Sequence, residues 1–514
     1  MKTTLYLAVA ATLLISACSE QRIVEPSPHE RPPVDIAVAP LPQDAVEGLS
    51  QDVVETRKSA VAYPESEASL PATAKQQAAP PPSPAVAAAP YYEDRMMVKQ
   101  RHTDFYYAPP LPHNTERYQT INDNPIKLVS ESPVSTFSID VDTGSYSNVR
   151  RMLNQGQLPP TDAVRVEEMI NYFPYDYALP KNNSPFAVHT ALAYTPWNPE
   201  NILMRIAIKG QDMAKHEMPP ANLVFLIDTS GSMSSSDKLP LLCASMKALT
   251  QQLRAQDTIT IVTYSGSTSV ALPPTSGREK ATINRVIDSL RASGSTAGGA
   301  GIELAYQAAQ QSFVKGGINR ILLATDGDFN VGVTDFDQLK KMVEEKRKSG
   351  IALSTLGFGS GNYNEQLMEQ LADAGNGAYS YIDTLMEGHK VLVHEMTSTL
   401  ATIAKDVKIQ VEFNPAAVKE YRLIGYENRL LNREDFNNDK VDAGDIGAGH
   451  TVTALYEITL VGKKGAVDSL RYQTQSNQAS QIKRDVVASD ELAYIKLRYK
   501  QPDGEQKWPQ EVGQ

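Results

Sequence analysis

Residues 223–238 read LVFLIDTSGSMSSSDK, and this stretch decides the fold. It reads as a buried strand that ends in Asp228, followed by a tight turn carrying Ser230 and Ser232. One carboxylate and two hydroxyls at alternate positions, D-x-S-x-S, can converge on a single small, hard cation. All-oxygen ligands suit Mg²⁺, Mn²⁺ or Ca²⁺ and not zinc or copper.

Two further stretches offer the missing ligands. RASGSTAGGAG (291–301) presents Thr296 in a Gly-rich loop just before a helix. NRILLATDGDFN (319–330) is a second buried strand, ending in Asp326 and Gly327. Both aspartates therefore lie at the carboxyl end of an apolar strand, the edge where open α/β sheets bind ligands. With these three loops the chain resembles the von Willebrand factor type A (vWA) family. The metal-ion-dependent adhesion site (MIDAS) of that family uses a D-x-S-x-S loop, a Thr from a second loop and an Asp from a third. The resemblance carries over to Asp228, Ser230, Ser232, Thr296 and Asp326, with no motif position substituted. A plainer reading makes the aspartates helix caps and Ser230 and Thr296 turn residues.

Ligand counting gives the site its chemistry. Two aspartates nearly balance a divalent ion, and the other protein ligands are neutral hydroxyls. Mg²⁺ takes about six oxygens, so water completes the shell and an incoming carboxylate can replace one water. The resemblance implies that this carboxylate is an Asp or Glu of a partner protein. In the family, the serines and Thr touch the metal, while the aspartates often act through water.

The 514 residues suggest two to four domains. With 49 Lys and Arg against 60 Asp and Glu, the net charge of −11 disfavours a nucleic-acid partner, and any attraction to carboxylates must be local to the metal. Met1 and Lys2 precede an apolar run, Leu5 to Ile15, too short to span a bilayer with ease. Ile15-Ser16-Ala17-Cys18 resembles a bacterial lipobox. That resemblance implies a signal peptide over 1–18, cleavage before Cys18 and acylation of Cys18, a stable membrane anchor. An ordinary secretory signal is the alternative. Ser19, in place of Asp, favours transport to the outer membrane in Gram-negative bacteria. The other cysteine, Cys243, shares a helical face with Leu239, Leu242, Met246, Leu249 and Leu253 and is expected in the core. Two cysteines leave no disulfide framework.

Residues 19–130 read as a disordered tether, Pro/Ala-rich at AAPPPSPAVAAAP (78–90). An N-terminal, vWA-associated domain is expected over 131–218. It holds a strand and turn at STFSIDVDTGSY (135–146) and a helix over 147–156 capped by Ser147. A second helix follows over 161–173, then a hairpin over 186–211. This region resembles the segment preceding the A domain in a group of bacterial envelope proteins, the YfbK-type lipoproteins. The vWA domain itself spans 219–403, a doubly wound, mainly parallel, Rossmann-like α/β sheet. A C-terminal β-rich domain follows over 404–514. The expected architecture is this α/β domain inserted in, or flanked by, a β-sandwich, with strands from 186–211 pairing with strands after 406. The resembled proteins continue with a short helical segment, so the last domain is expected to lack an element.

Other motifs carry less. DVDTGSYS is better explained as a strand end and helix cap than as a metal loop. GSTAGGAG lacks the Lys-Ser/Thr of a P-loop, which argues against a nucleotide. His389 and His394, five apart, should not share a helical face. EDFNNDKVDAGD (434–445) could hold Ca²⁺ through Asp435, Asn437 and Asp439, but a polar hairpin loop fits better. Two function classes remain: a lipid-anchored, cation-dependent protein-binding module, or a metal-dependent hydrolase, for which no base is readable beside the loops. A scaffold whose metal only stiffens the loops is a third. On this reading residues 384–403, a single helix, close the domain and run into the following strand.

Overall fold

The structure, a computed structural model, describes residues 114–181, 184–294, 298–327, 336–468, 491–502 and 512–513. The signal peptide with Cys18, most of the tether, and Thr296 lie outside the described residues. From Thr115 onward these residues belong to one compact unit.

Two short strands, β1 (Lys127–Leu128) and β2 (Val134–Ser138), open the fold. Helices α1 (Gly144–Asn154) and α2 (Val166–Asn171) follow, then the hairpin β3 (Phe186–Tyr194) and β4 (Ile202–Gly210). The central part runs β5 (Ala221–Asp228), α3 (Leu239–Gln252), β6 (Thr258–Tyr264), β7 (Thr268–Ser276), α4 (Lys280–Ser289) and α5 (Gly298–Gln311). It continues with β8 (Ile318–Thr325), α6 (Phe336–Lys346), β9 (Ala352–Phe358), α7 (Glu365–Ala374) and β10 (Tyr379–Ile382). Helices α8 (Leu385–His389) and α9 (Met396–Leu400) lead into β11 (Thr402–Phe413), β12 (Val418–Ile424), β13 (Leu430–Leu431) and β14 (Ile446–Gly447). Strands β15 (Thr451–Leu460), β16 (Ala493–Lys500) and β17 (Val512–Gly513) complete the chain order.

The central sheet has the order β10-β9-β8-β5-β6-β7, parallel except for the edge strand β7. Every residue of β5 and β8 is buried, as expected of strands covered on both faces. The period of two then splits β5. Phe225 and Ile227 pack with Leu242, Met246 and Leu249 of α3 on one face. Val224 and Leu226 pack with Ile302 and Ala305 of α5 on the other. The expected apolar face of α3 is buried, but Cys243 is only half-buried, at the seam with α4, where its Sγ lies 3.7 Å from the Ile287 carbonyl.

The flanking strands form two antiparallel sheets, β1-β12-β15-β4-β3 and β13-β2-β11-β16-β17, around one core that includes Phe137, Ile206, Val411, Phe413 and Tyr456. The 186–211 hairpin pairs as expected: β4 runs against β15 from Ile202↔Ile458 to Lys209↔Thr451. The α/β domain thus leaves the sandwich after β4 and returns at β11. Ion pairs tie the two together. Buried Arg165 reaches Glu365 at 3.1 Å and Glu369 at 2.6 Å on α7, and Arg429, which also pairs with Asp142, reaches the half-buried Asp373 of α7 at 2.6 Å.

Five local expectations change. Residues 115–130 do not behave as tether: the Thr115 N–H donates to the Gly361 carbonyl (2.7 Å), the Arg117 N–H to the Tyr363 carbonyl (2.9 Å), and Asn124 donates to the carbonyls of Leu423 and Gly425. Ser147 does not cap its helix, which begins at Gly144; its hydroxyl donates to the Tyr381 carbonyl (2.6 Å). The 161–173 helix is broken, because Arg165 is extended (φ −98°, ψ 113°) where it turns toward Glu365 and Glu369. The 384–403 helix is also broken, and it ends before β11 starts at Thr402. Between α8 and α9, Lys390–His394 form a π-helical turn, in which the Glu395 N–H donates to the Lys390 carbonyl. That turn aligns positions five apart, so the His389 and His394 rings do meet, with centroids 4.8 Å apart.

Candidate functional site

The strand order puts the carboxyl ends of β5 and β8 side by side. Asp228 is the last residue of β5, and Asp326 is the first after β8. Both are fully buried. The D-x-S-x-S turn is wound by Asp228 itself, whose Oδ1 accepts the Ser230 N–H at 2.8 Å. The turn brings the Ser230 and Ser232 hydroxyls within 3.0 Å of each other, and Ser232 also hydrogen-bonds toward Asp326. Four of the five expected ligands are therefore in one group. The fifth, Thr296, lies outside the described residues, but the loop before it docks on the same turn: the Ser293 N–H donates to the Thr229 carbonyl (2.7 Å), and the Gly231 N–H to the Gly294 carbonyl (3.0 Å).

The two carboxylates are in different electrostatic states. Burial pushes Asp228 up to about 6, against hydrogen bonds from Ser230 and Thr325, and the charge of Asp326 adds to the rise. Among the described residues no cationic side chain is hydrogen-bonded to Asp228. Burial acts on Asp326 too, but the Lys238 ammonium, with hydrogen bonds from Asn362 and Ser232, holds it below the usual carboxylate range. A buried carboxylate held by neutral hydrogen-bond donors, flanked by two hydroxyls and a second carboxylate, fits a hard divalent cation.

Three residues of this group escape the motif. The Thr325 hydroxyl donates to Asp228 Oδ2 (2.8 Å) and accepts the Gly327 N–H (3.1 Å), linking the two strand ends. Lys238 Nζ donates to Asp326 Oδ2 (2.9 Å) and to Asn362 Oδ1 (3.0 Å), and Asn362 Nδ2 donates to the same Asp326 oxygen (3.1 Å). Thr325 sits in the quoted strand end and Lys238 closes the quoted loop, so both were in view without a signal of their role. Asn362 carries no signal at all.

The other candidate ion sites are spoken for. Asp435 closes a capping box with Asn432, and Arg498 donates to both Asn437 and Asp439. In DVDTGSYS, Asp142 accepts the Tyr379 N–H (2.7 Å) and, like Asp140, pairs with Arg429; neither caps α1. Among the described residues no group of three or more His, Cys, Asp or Glu could hold a metal, which leaves the hydroxyl-bearing group at the sheet edge.

The fold is that of a protein carrying a von Willebrand factor type A domain: residues 222–395 match the family model of that description. Residues 112–205 match a family described as von Willebrand factor, and 398–512 match "Uncharacterized protein YfbK, C-terminal". The chain is 56% identical over 399 residues to "Uncharacterized protein YfbK" of Escherichia coli (strain K12), covering 76% of this chain and 68% of that protein. It belongs to the YfbK family. It is also similar, at 23% identity over 278 residues, to inter-alpha-trypsin inhibitor heavy chain H3 of Pongo abelii, covering 49% of this chain and 30% of that one. Among solved structures, a von Willebrand factor type A protein from Catenulispora acidiphila aligns at 14% identity over 64% of this chain and 72% of its own, with a TM-score of 0.38. A domain of this type points to protein–protein interaction or adhesion. The hydrolase alternative gains no support from these relatives.

Proposed function

We infer that this protein is a cell-envelope lipoprotein that captures a partner protein through a divalent cation. Asp228, Ser230, Ser232, Thr296 and Asp326 hold the cation, Mg²⁺ with Mn²⁺ or Ca²⁺ as substitutes, and an Asp or Glu of the partner completes its shell. Bound there, the metal supplies an electrophilic point that an anionic oxygen can occupy. The chain's own residues do the rest. Ser230 and Ser232 present neutral oxygens, Asp228 and Asp326 supply charge, and Thr325 fixes the spacing of the two strand ends. Acylated Cys18 anchors the chain to the membrane, on this reading the outer one. Nucleic acid and nucleotides are not among the ligands proposed, and no catalytic role is assigned.

The observation that carries this reading is the convergence of Asp228, Ser230, Ser232 and Asp326 at the carboxyl edge of the sheet, with both carboxylates fully buried. Mn²⁺ titration followed by the free-ion electron paramagnetic resonance signal tests it: the protein should take up one ion, and Asp228→Ala should abolish uptake. A pulldown from envelope extracts should then retain a partner that chelator releases. If Asp228→Ala binds Mn²⁺ as the parent does, the site reading fails. Ion uptake with capture indifferent to chelator would leave the metal a stiffening role only. Labelling by a fatty-acid precursor, lost in Cys18→Ser, checks the anchor.

A further inference from the structure

Lys238 is the one cationic side chain hydrogen-bonded to this group among the described residues, and nothing in the D-x-S-x-S pattern requires it. It is 6% exposed. Its ammonium lies 2.9 Å from Asp326 Oδ2 and 3.0 Å from Asn362 Oδ1. The position is built rather than incidental. Gly359, at φ +76°, lets the Lys238 stem cross directly over it, where any Cβ would collide with the stem. The Leu242 N–H, in the first turn of α3, donates to the Lys238 carbonyl at 2.9 Å and fixes the residue's backbone. Burying an ammonium is unfavourable unless it is paired and hydrogen-bonded, and here the pair is one of the two carboxylates proposed to hold a metal.

The formal charges then change. Asp228 and Asp326 contribute −2 and Lys238 contributes +1, so the group carries −1 rather than the −2 that would neutralise a divalent ion. Loaded with M²⁺, it carries +1. The ammonium also occupies an oxygen of Asp326 that a metal would otherwise draw on.

Resting on the cation-site reading above, we propose that Lys238 is a resident monovalent cation that competes with the metal for Asp326 and sets the loaded site at one positive charge, the charge that one partner carboxylate cancels. The ammonium keeps Asp326 paired when no metal is bound. It lowers affinity for the bare ion and makes metal retention depend on the anionic ligand. By linkage the dependence is mutual: a carboxylate tightens the metal by the factor by which the metal tightens the carboxylate. Lys238 is thus a positioning and charge-setting residue, not a ligand.

The test uses the full chain, Mn²⁺ as the metal and acetate as a minimal carboxylate, with Kd corrected for acetate's own weak binding of Mn²⁺. In the parent, acetate should tighten Mn²⁺ several-fold. Lys238→Met should bind Mn²⁺ about tenfold more tightly without acetate and lose most of the acetate effect. Its metal-free melting temperature should fall, and its gain on adding Mn²⁺ should exceed the parent's. Lys238→Arg, which keeps the charge, should behave as the parent does. Lys238→Gln, which keeps a donor toward Asp326, repeats the Met prediction should the Met variant not fold. A buttress without electrostatic effect would instead give unchanged or weaker Mn²⁺ binding in Met and Gln, and that result overturns the proposal. So does tighter binding with the acetate effect intact. If parent binding depends on Asp228 while the Lys238 variants match the parent, this inference alone falls. If neither parent nor variants take up Mn²⁺, the cation site falls with it.

Discussion

Gly327→Ala probes the geometry of the site without touching a proposed ligand. Gly327 follows Asp326 at φ +85°, in the left-handed region, and a Cβ there would lie 2.6 Å from the Asn364 backbone nitrogen and 3.0 Å from its Cβ. Neither contact is with the flexible end of a side chain, so relief requires backbone movement at Asp326 or at the start of α7. Left-handed strain is about 1–2 kcal/mol for a residue with a Cβ, and forced overpacking adds about 1–3 kcal/mol. A loss of about 2–5 kcal/mol should lower the melting temperature of a domain this size by roughly 5–15 °C. The displaced Gly327 N–H also leaves the Thr325 hydroxyl, which holds Asp228, so Mn²⁺ affinity should fall about tenfold or more. Gly316→Ala is the control: its φ is +71°, and nothing lies within 4 Å of an added Cβ. That variant should show the strain alone, a melting shift of a few degrees, with Mn²⁺ affinity unchanged. The reasoning is refuted if Gly327→Ala melts within a degree of the parent and holds Mn²⁺ equally well, or if the two variants behave alike.

Thr325→Val removes a donor from the buried Asp228 carboxylate and should destabilise the metal-free protein by about 1–3 kcal/mol; equal urea midpoints for parent and variant would count against the relay. Arg165→Ala leaves Glu365 and Glu369 buried without their cation and should remove about 3–5 kcal/mol, whereas Arg165→Met combined with Glu365→Gln and Glu369→Gln should recover at least half; no recovery would show that packing, not charge, dominates there. Burial pushes Glu167 up to about 7 from an ordinary 4.5. The native state therefore keeps a proton that the unfolded chain has released, so this contribution is complete below about pH 4.5 and is lost as pH rises through 7. The parent should lose up to about 3 kcal/mol across that window on this account, and Glu167→Gln, which keeps an oxygen for the Tyr426 N–H, should flatten the profile; parallel profiles from thermal melts would exclude it.

What the sequence discloses here depends on the range of the interaction involved. Asp228, Ser230 and Ser232 are legible because one turn brings alternate residues together, and Asp326 because a buried strand announces its own end. The sandwich is legible through alternation in 186–211, where Phe186, Val188, Met204, Ile206 and Ile208 all enter the core. Helix ends are not, because tertiary partners outrank local caps: Ser147 is drawn to the Tyr381 carbonyl and Arg165 to Glu365 and Glu369. The histidine pair fails for a related reason, since the rule that residues five apart diverge assumes an α-helical pitch and the chain adopts a π turn at that point. Lys238 acquires its role only from Asp326 and Asn362, 88 and 124 residues away in sequence.

The loop that carries Asn362 shows why composition misreads the segment before it. Thr115 and Arg117 donate backbone N–H groups to the Gly361 and Tyr363 carbonyls, and the Glu365 N–H donates to the Arg117 carbonyl. Glu116 accepts the Gly361 N–H at 2.8 Å and pairs with Arg151 of α1 at 2.9 Å. Backbone pairing of this kind needs no apolar residue and leaves no periodicity, so polar residues 115–117 read as tether while they act as a strap. Asn362 is thus gripped from two sides, by the strap through the carbonyls that flank it and by Lys238 through its amide oxygen, and its own amide nitrogen rests on Asp326. The point where the chain joins the fold and a carboxylate of the candidate site are therefore joined through a single loop. Loosening the strap has a direct path to Asp326, whereas changes at the far ends of β5 and β8 must act through two fully buried strands.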